Sequence, residues 1–358
     1  MRKLIKYAIV IVNIVFAALY LLALLAAVVP ADRFVWLSFL GLIFPLLVIA
    51  QIGFVIFWIC SRKWWFLLSL SLLIVSHSAV NQVFTLPHTK HAAAGQPTIK
   101  ILTYNISLFG GQKHFDDIIA LIKQTDADIV CLQEFGFYNN SQLSQDKILA
   151  QLDQHYPYRH LWYKNQRQRF WWGVATFSKH PIVNKQKVTY PSAYNVSIYS
   201  DIVVGTDTVR VFNNHLESNK LTSRDMQRYK NHANHLNSDD IRSIAGHMSQ
   251  KMSAAYRLRA VQARAVADVV AATPYSTVIC GDFNDVTQSY TYHTLAKGMT
   301  DAVIDTRSGY NYTFHDNGLF VNIDHILADK HFTPLTADIL HVNYSDHYPV
   351  IATIAKRK

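Results

Sequence analysis

The pattern of hydrophobic and polar positions divides the chain near residue 86. Ahead of that point three apolar runs follow one another, at about 4–29, 34–60 and 64–84, separated by Pro30-Ala31-Asp32-Arg33 and Ser61-Arg62-Lys63. Each run is long enough to cross a bilayer core of about 30 Å at roughly 1.5 Å per helical residue. Membrane helices tolerate residues such as Gly41, Pro45 and Gly53, and Trp64-Trp65 stand where interfacial anchors stand. A cleavable signal peptide would account for the first run only. The expectation is a membrane anchor over 1–86 with three transmembrane helices, a linker over 87–97, and a globular domain over 98–358.

In the globular part, short apolar runs alternate with segments of helical spacing. Strands are expected at 100–105, 128–134, 173–178, 196–204, 209–213, 276–279, 323–327, near 335–342, and at 350–354. Helical spacing is read at 116–124, 142–152, 290–297 and 254–271, the last with Leu258, Val261, Ala265 and Val269 on one face. The polar, His-rich stretch 219–252 reads as a loop with a surface helix. Strands interleaved with helices predict one α/β domain with a large sheet core.

Charge adds an orientation. Residues 1–86 hold six Lys/Arg and one Asp, half of the formal net charge of +10. By the positive-inside tendency the N-terminus and Arg62-Lys63 face the cytoplasm, so three crossings put the globular domain outside. The expectation is an integral protein of the cell (inner) membrane with an extracytoplasmic domain. That domain, at +5, tolerates a phosphate-rich ligand without carrying a nucleic-acid signature. Cys60, Cys131 and Cys280 read as small buried hydrophobes, because no spacing suggests zinc or a disulfide framework; a Cys131–Cys280 bridge stays open outside the cytoplasm.

The polar residues at the strand ends carry the chemistry. Asn105 follows Ile-Leu-Thr-Tyr, Glu134 follows Val-Cys-Leu-Gln, and His215 follows Val-Phe-Asn-Asn. Asp282 and Asn284 follow Val-Ile-Cys-Gly, Asp324 lies between two isoleucines, and Asp346-His347 precedes the final strand. Carboxylates suit a hard cation such as Mg²⁺ or Mn²⁺, carboxamides suit phosphate oxygens, and imidazoles suit proton transfer. Each residue alone has a plain reading as a cap, a solvated strand end or a satisfied histidine; one shared site explains them all. Phe170-Trp171-Trp172 reads first as sheet packing, and otherwise as an aromatic platform for bases or a lipid interface.

The ordered set Thr103-Tyr104-Asn105, Gln133-Glu134, Asn213-Asn214-His215, Gly281-Asp282-Phe283-Asn284, Ile323-Asp324-His325 and Ser345-Asp346-His347 resembles the endonuclease/exonuclease/phosphatase superfamily from about 100 to 355. The resemblance implies a four-layer αββα sandwich of two packed mixed sheets flanked by helices, with the site at one end. It also implies hydrolysis of a phosphate ester with a divalent metal, usually Mg²⁺. Glu134 resembles the metal-binding glutamate, with Asn105 beside it and Asp346 as a further metal-associated carboxylate. His347 resembles the histidine that acts as base or phosphate ligand, and Asp324 the aspartate that orients it. Asp282 resembles the residue that positions the attacking water, Asn284 the asparagine on the phosphate, and His215 the second histidine at the transition state. Asn105, Asn284 and His215 are the expected substrate contacts. Asn322 departs from the pattern, since many members carry Arg there.

The resulting expectation is a membrane-anchored, metal-dependent phosphoesterase. The substrates it leaves open are nucleic acid first, a phospholipid head group as in a sphingomyelinase-like phosphodiesterase second, and a small phosphorylated metabolite third. The bilayer is the other partner expected, through residues 4–84. The rival from another class is a non-catalytic binding protein on the same fold.

Overall fold

The computed structural model describes residues 2–86, 96–138, 143–166, 170–192, 194–219, 238–316 and 318–357. In the N-terminal segment, α1 (Arg2–Leu25) is followed by α2 (Trp36–Leu42), α3 (Phe44–Cys60), α4 (Phe66–Val75) and α5 (His77–Val83). Among the described residues only Leu4–Leu25 is a single helix long and apolar enough to cross a membrane. The second expected span bends by 62° between α2 and α3, and the third by 77° between α4 and α5, so three crossings require each bent pair to act as one span. Pro45 stands in the first turn of α3, where it has no N–H for α2 to continue through. The helices pack around Tyr20, Phe44, Leu47 and Val83, and Asn13 bridges two others by accepting from Trp58 Nε1 (3.0 Å) and donating to Ser69 Oγ (2.9 Å). Cys60 is exposed rather than buried; Cys131 and Cys280 are buried and free.

The segment ends in β1 (Phe84–Thr85), and the expected linker lies almost wholly outside the described residues. The globular part then runs β2 (Thr98–Asn105), α6 (Phe115–Thr125), β3 (Ile129–Tyr138), α7 (Gln145–Leu152), β4 (Tyr158–Gln166), β5 (Phe170–Ser178), β6 (Ile182–Lys187), β7 (Val196–Val204) and β8 (Asp207–His215). It continues with α8 (Ser238–Ala271), β9 (Ser276–Asp282), α9 (Tyr290–Leu295), β10 (Met299–Asp301), α10 (Ala302–Thr306), β11 (Gly309–Tyr310), β12 (Asp324–Asp329), β13 (Phe332–Ile339) and β14 (Val350–Lys356). One six-stranded sheet has the order β13-β14-β2-β3-β5-β4 and the other β10-β12-β9-β8-β7-β6, while β1 pairs with β11 apart from both. Only β2/β3 and β8/β9 are parallel within these sheets.

Period-two alternation sorts the strand residues into layers. Ile99, Ile101, Ile129 and Cys131 face Val209, Val211, Val278 and Cys280 between the sheets. Leu102, Tyr104, Val130 and Leu132 point the other way, onto α6 and α7. Phe212, Ile279 and Leu327 of the second sheet meet Ala263 and Val266 of α8 and Tyr292 of α9. This is an α/β fold of two mixed sheets flanked by helices.

The helix expected at 254–271 begins at Ser238, so the surface helix expected within 219–252 is continuous with it; residues 220–237 lie outside the described ones. Its deepest face is also displaced from the expected stripe. Leu258, Val261, Ala265 and Val269 are half-buried, whereas Ala255, Tyr256, Arg259, Ala260, Gln262, Ala263 and Val266 are buried. An arginine and a glutamine sit on that face because polar partners wait for them beneath the helix.

Candidate active site

Strand direction brings the predicted residues together. β2 and β3 are parallel, as are β8 and β9, so Asn105, Glu134, His215 and Asp282 all lie toward C-terminal strand ends at one edge of the sandwich. β12 runs antiparallel to β9 with Asp324 opposite Asp282. β14 runs antiparallel to β2, with Val350 opposite Thr103, so Asp346 and His347 arrive at the same edge.

Local backbone irregularities aim the side chains. Odd-numbered residues of β3 face the opposite sheet as far as Gln133, yet Phe135 packs on the helix side. The parity changes at Glu134, where the pairing with β5 shifts register and φ is +51°, turning the carboxylate into the pocket. Asn284 has φ of +53°, with its N–H donating to Asp282 Oδ1 at 2.7 Å. Left-handed backbone at a residue with a side chain costs about 1–2 kcal/mol, and such strain clusters at functional sites. Between them, Gly281 has φ of +126°, and a Cβ there would lie 2.1 Å from the Asn214 carbonyl oxygen.

Asp282 is the hub. Its Oδ2 accepts from Asn105 Nδ2 (3.0 Å) and Asn284 Nδ2 (3.1 Å), and lies 3.8 Å from Nε2 of both His215 and His347. The Nδ1 of His347 is paired with Asp324 Oδ2 at 2.8 Å, which leaves Nε2 toward the pocket. His215 Nε2 is 3.6 Å from Glu134 Oε1. Asp346 lines the same pocket as Glu134, Asp282, Asn284 and His347. All eight predicted residues therefore meet in one place. The Asn105 and Asn284 carboxamides are nevertheless engaged inside the protein. Asn105 Oδ1 accepts from the Ser107 N–H, and Asn284 Nδ2 also donates to the Leu216 carbonyl.

Titration follows from burial and crowding. Burial, then the charges of Asp346 and Asp282, push Glu134 up to about 8, against the pull of His347 and a hydrogen bond from Asn105. Burial and Asp324 push Asp282 up to about 7, while His347 and the amide donors oppose. Burial and the His347 charge hold His215 down at about 3, so its ring is neutral. Burial disfavours charge on His347 too, but Asp324, Asp282 and Asp346 outweigh it and keep the ring well above its ordinary value.

This donor set fits a hard divalent cation. Ligand atoms of Asp282, Asp324 and His347 lie within 4.8 Å of one another. Because Asp324 and His347 are already bonded to each other, Glu134, Asp282 and Asp346 are the carboxylates left facing the pocket. Asp324 Oδ1 and His215 Nε2 are buried without a hydrogen-bond partner. Raised carboxylates that share one cationic neighbour among the described pocket residues, His347, itself tied to Asp324, are what an oxygen-seeking ion relieves.

Other contributors were not singled out from sequence. Thr313 Oγ1 accepts from the N–H groups of Ile323 and Asp324 (3.1 and 3.0 Å) and sets the start of β12. Phe314 lies edge-on to His347 with ring centres 5.1 Å apart. Gln133 Nε2 donates to Asn213 Oδ1 at 2.8 Å, tying the sheets together beneath the site. Of the aromatic triplet, Trp171 packs against Phe137 and Tyr163, whereas Trp172 stands 5.6 Å from the His215 ring. Arg259 left no signal in the sequence: it lies beside the stripe read as apolar, between Arg257 and Arg264, and only the fold shows it buried.

Residues 102–347 match the profile of the Endonuclease/Exonuclease/phosphatase family, and residues 2–83 match a family described only as a domain of unknown function. No curated protein matches the chain. An endonuclease/exonuclease/phosphatase family protein from Leptotrichia buccalis C-1013-b is 14% identical, with 72% of this chain and 99% of that one covered and a TM-score of 0.50. An endonuclease/exonuclease/phosphatase from Bacteroides vulgatus is 18% identical (73% and 100% covered, TM-score 0.49). Sphingomyelinase C from Streptomyces griseocarneus is also 18% identical (72% and 99% covered, TM-score 0.48). At such identities the likeness is one of fold alone.

Proposed function

The chain belongs to the Endonuclease/Exonuclease/phosphatase family and is a metal-dependent phosphoester hydrolase; from that premise we propose that it is a membrane-anchored phosphodiesterase whose catalytic domain faces away from the cytoplasm. The observation that carries this reading is the Asp324–His347 pair, with its free Nε2 turned toward Asp282 beside Glu134 in one pocket.

Glu134 and Asp346, with Asn105 beside them, would hold Mg²⁺ or Mn²⁺, which supplies positive charge against the phosphate oxygens as negative charge builds there. Asp282 orients the attacking water and, with its carboxyl near 7, is matched to take the proton at neutral pH. Asp324 holds Nδ1 of His347, so the ring presents an Nε2–H donor to a non-bridging phosphate oxygen. His215, kept neutral by burial, offers a second donor. Asn284 and Asn105 hold Asp282 in place. An oxygen–phosphorus bond forms to water, the ester bond breaks, and the leaving oxygen takes a proton, giving a phosphomonoester and an alcohol.

The test uses the full chain with Mg²⁺ or Mn²⁺ and an aryl phosphodiester. His347→Ala and Glu134→Ala should each remove nearly all hydrolysis; activity unchanged in both would overturn the assignment. The orientation is tested by a reporter fused after Lys358, and a reporter active only in the cytoplasm would reverse it.

A further inference from the structure

The pocket over the strand ends, about 290 Å³, is built from two halves of the chain. Its floor is polar and holds Glu134, Asp282, Asn284, Asp346 and His347. Leu42, Met252, Phe314, Leu319, Val321 and Ile323 add an apolar stretch to its wall, beside the polar Ser218, Asn219, Asp285 and Asp316. Leu42 is the last residue of α2, so the N-terminal apolar segment supplies part of the wall of the active site.

The position of Leu42 is fixed by close contacts. At Gly41 an added Cβ would lie 2.2 Å from the Gln288 carbonyl oxygen, so a larger residue there would push α2 away. Gln288 Nε2 donates to the Ala23 and Leu24 carbonyls at 3.3 Å, Arg264 makes two bonds to Asp32 (3.2 and 2.7 Å), and Phe39 packs edge-on against Tyr256. The same segment grips the other flank. β1 pairs with β11, at the head of the chain stretch that brings Phe314, Leu319 and Val321 to the pocket.

Around this mouth apolar side chains stay uncovered: Phe34, Trp36, Leu319 and Phe320 are each more than 40% exposed. α2 makes an angle of 62° with α3. Trp and Phe in such a place suit the bilayer interface. Among the described residues lining the pocket none is Lys or Arg, whereas a nucleic-acid backbone is held by such charges.

We infer that the pocket takes the phosphodiester of a membrane lipid, with the phosphate on the polar floor, the first carbons of the lipid against Leu42 and Leu319, and the tails left in the bilayer beside α2. The inference rests on the phosphodiesterase reading above and names its substrate class. Drawing a lipid fully into water costs about 0.8 kcal/mol per CH₂. A wall contributed by the anchor places the scissile bond at the membrane surface, where little of that cost arises.

The experiment reconstitutes the full chain with Mg²⁺ in vesicles of phosphatidylglycerol, phosphatidylethanolamine and sphingomyelin, with bis(4-nitrophenyl) phosphate and single-stranded DNA assayed alongside. Release of a phosphomonoester or free alcohol from at least one lipid is expected. Leu42→Asp and Leu319→Asp should each lower the ratio of lipid to aryl turnover at least tenfold, and Leu42→Met should restore it. Leu319 is 42% exposed, so its variant reads the wall even where Leu42→Asp fails to fold. Hydrolysis of the aryl ester or DNA with every lipid intact, or a ratio unmoved by both Asp variants, overturns the inference and leaves the phosphodiesterase reading standing. Hydrolysis of none of them overturns both.

Discussion

Two buried polar clusters share one pocket, and they differ in how far the chain's own cations match its carboxylates. In the first, Arg259 of α8 is fully buried; its Nε donates to Asp285 Oδ2 at 3.2 Å and its Nη1 to the Glu217 carbonyl at 2.6 Å. Asp285 also accepts from Thr291 at 2.8 Å. In the second, one residue along the chain from Asn284, the carboxylates Glu134, Asp282, Asp324 and Asp346 gather around two histidines. Burial, and then neighbouring carboxylates, push Glu134 and Asp282 far above the usual range. A buried carboxylate with an arginine is a structural joint. Several that share a single histidine are a site that asks for a further ion from outside.

The sharpest separation comes from removing one residue from each cluster. His347→Ala should lower kcat/KM for the aryl phosphodiester by about 10²–10⁴-fold even at temperatures where it is fully folded, beyond any stability lost as Asp324 is left without its partner. Arg259→Met should lower stability by about 3–5 kcal/mol because Asp285 is left buried without its partner, while the residual folded enzyme keeps most of its turnover. Paired urea melts and steady-state rates check both. A large rate loss in Arg259→Met at temperatures where it is fully folded would merge the two clusters into one functional unit.

The parts of this design that were legible in the sequence share a physical signature. Strands buried on both faces, such as 276–279 and 350–354, read as apolar runs, and a carboxylate at the end of such a run stands out. β4 and β6 did not read, because they are edge strands, and β6, Ile182–Lys187, keeps one face in solvent. The parity change at Glu134 was invisible, since a bulge leaves no mark on hydrophobic alternation. The helix-face reading failed at Arg259 because periodicity scores apolar residues and the buried face is partly polar. The bends at Ile43 and Ser76 were hidden within runs that stay apolar throughout. Leu42 and Phe314 escaped because they reach the pocket from distant stretches with no polar signature.

His160 is a third kind of buried titratable group and sharpens the contrast, because it faces neither a carboxylate nor the pocket. It joins the sheets through Nδ1 and Ser200 Oγ at 3.0 Å, and burial, with Lys185 nearby, lowers it to about 4. The fold holds the neutral ring, whereas the unfolded chain takes a proton near 6.5. Its contribution is therefore whole above pH 6.5 and is lost as pH falls toward 4, amounting to about 2–3 kcal/mol. Urea melts across that window should show the loss, and His160→Phe should flatten it. An unchanged slope would mean that the ring is charged in the fold.

The smallest effect tests the contrast most directly, because its sign reverses. Glu134 is a charge that the fold does not balance, so Glu134→Gln should raise stability in the presence of chelator at pH 8, by about 1–2 kcal/mol. Adding Mg²⁺ or Mn²⁺ should stabilise the natural chain by RT ln(1 + [L]/Kd), about 2.7 kcal/mol at a hundredfold excess over Kd. The same addition should do much less for Glu134→Gln, which has lost a ligand. The two forms then exchange rank between chelator and cation, and thermal melts in the two buffers read the exchange. No such exchange is expected at Asp285, where Asp285→Asn weakens the pairing with Arg259 in either buffer. If Glu134→Gln is less stable than the natural chain in chelator as well, the glutamate already has its counter-charge inside the protein, and the distinction between the two clusters does not hold.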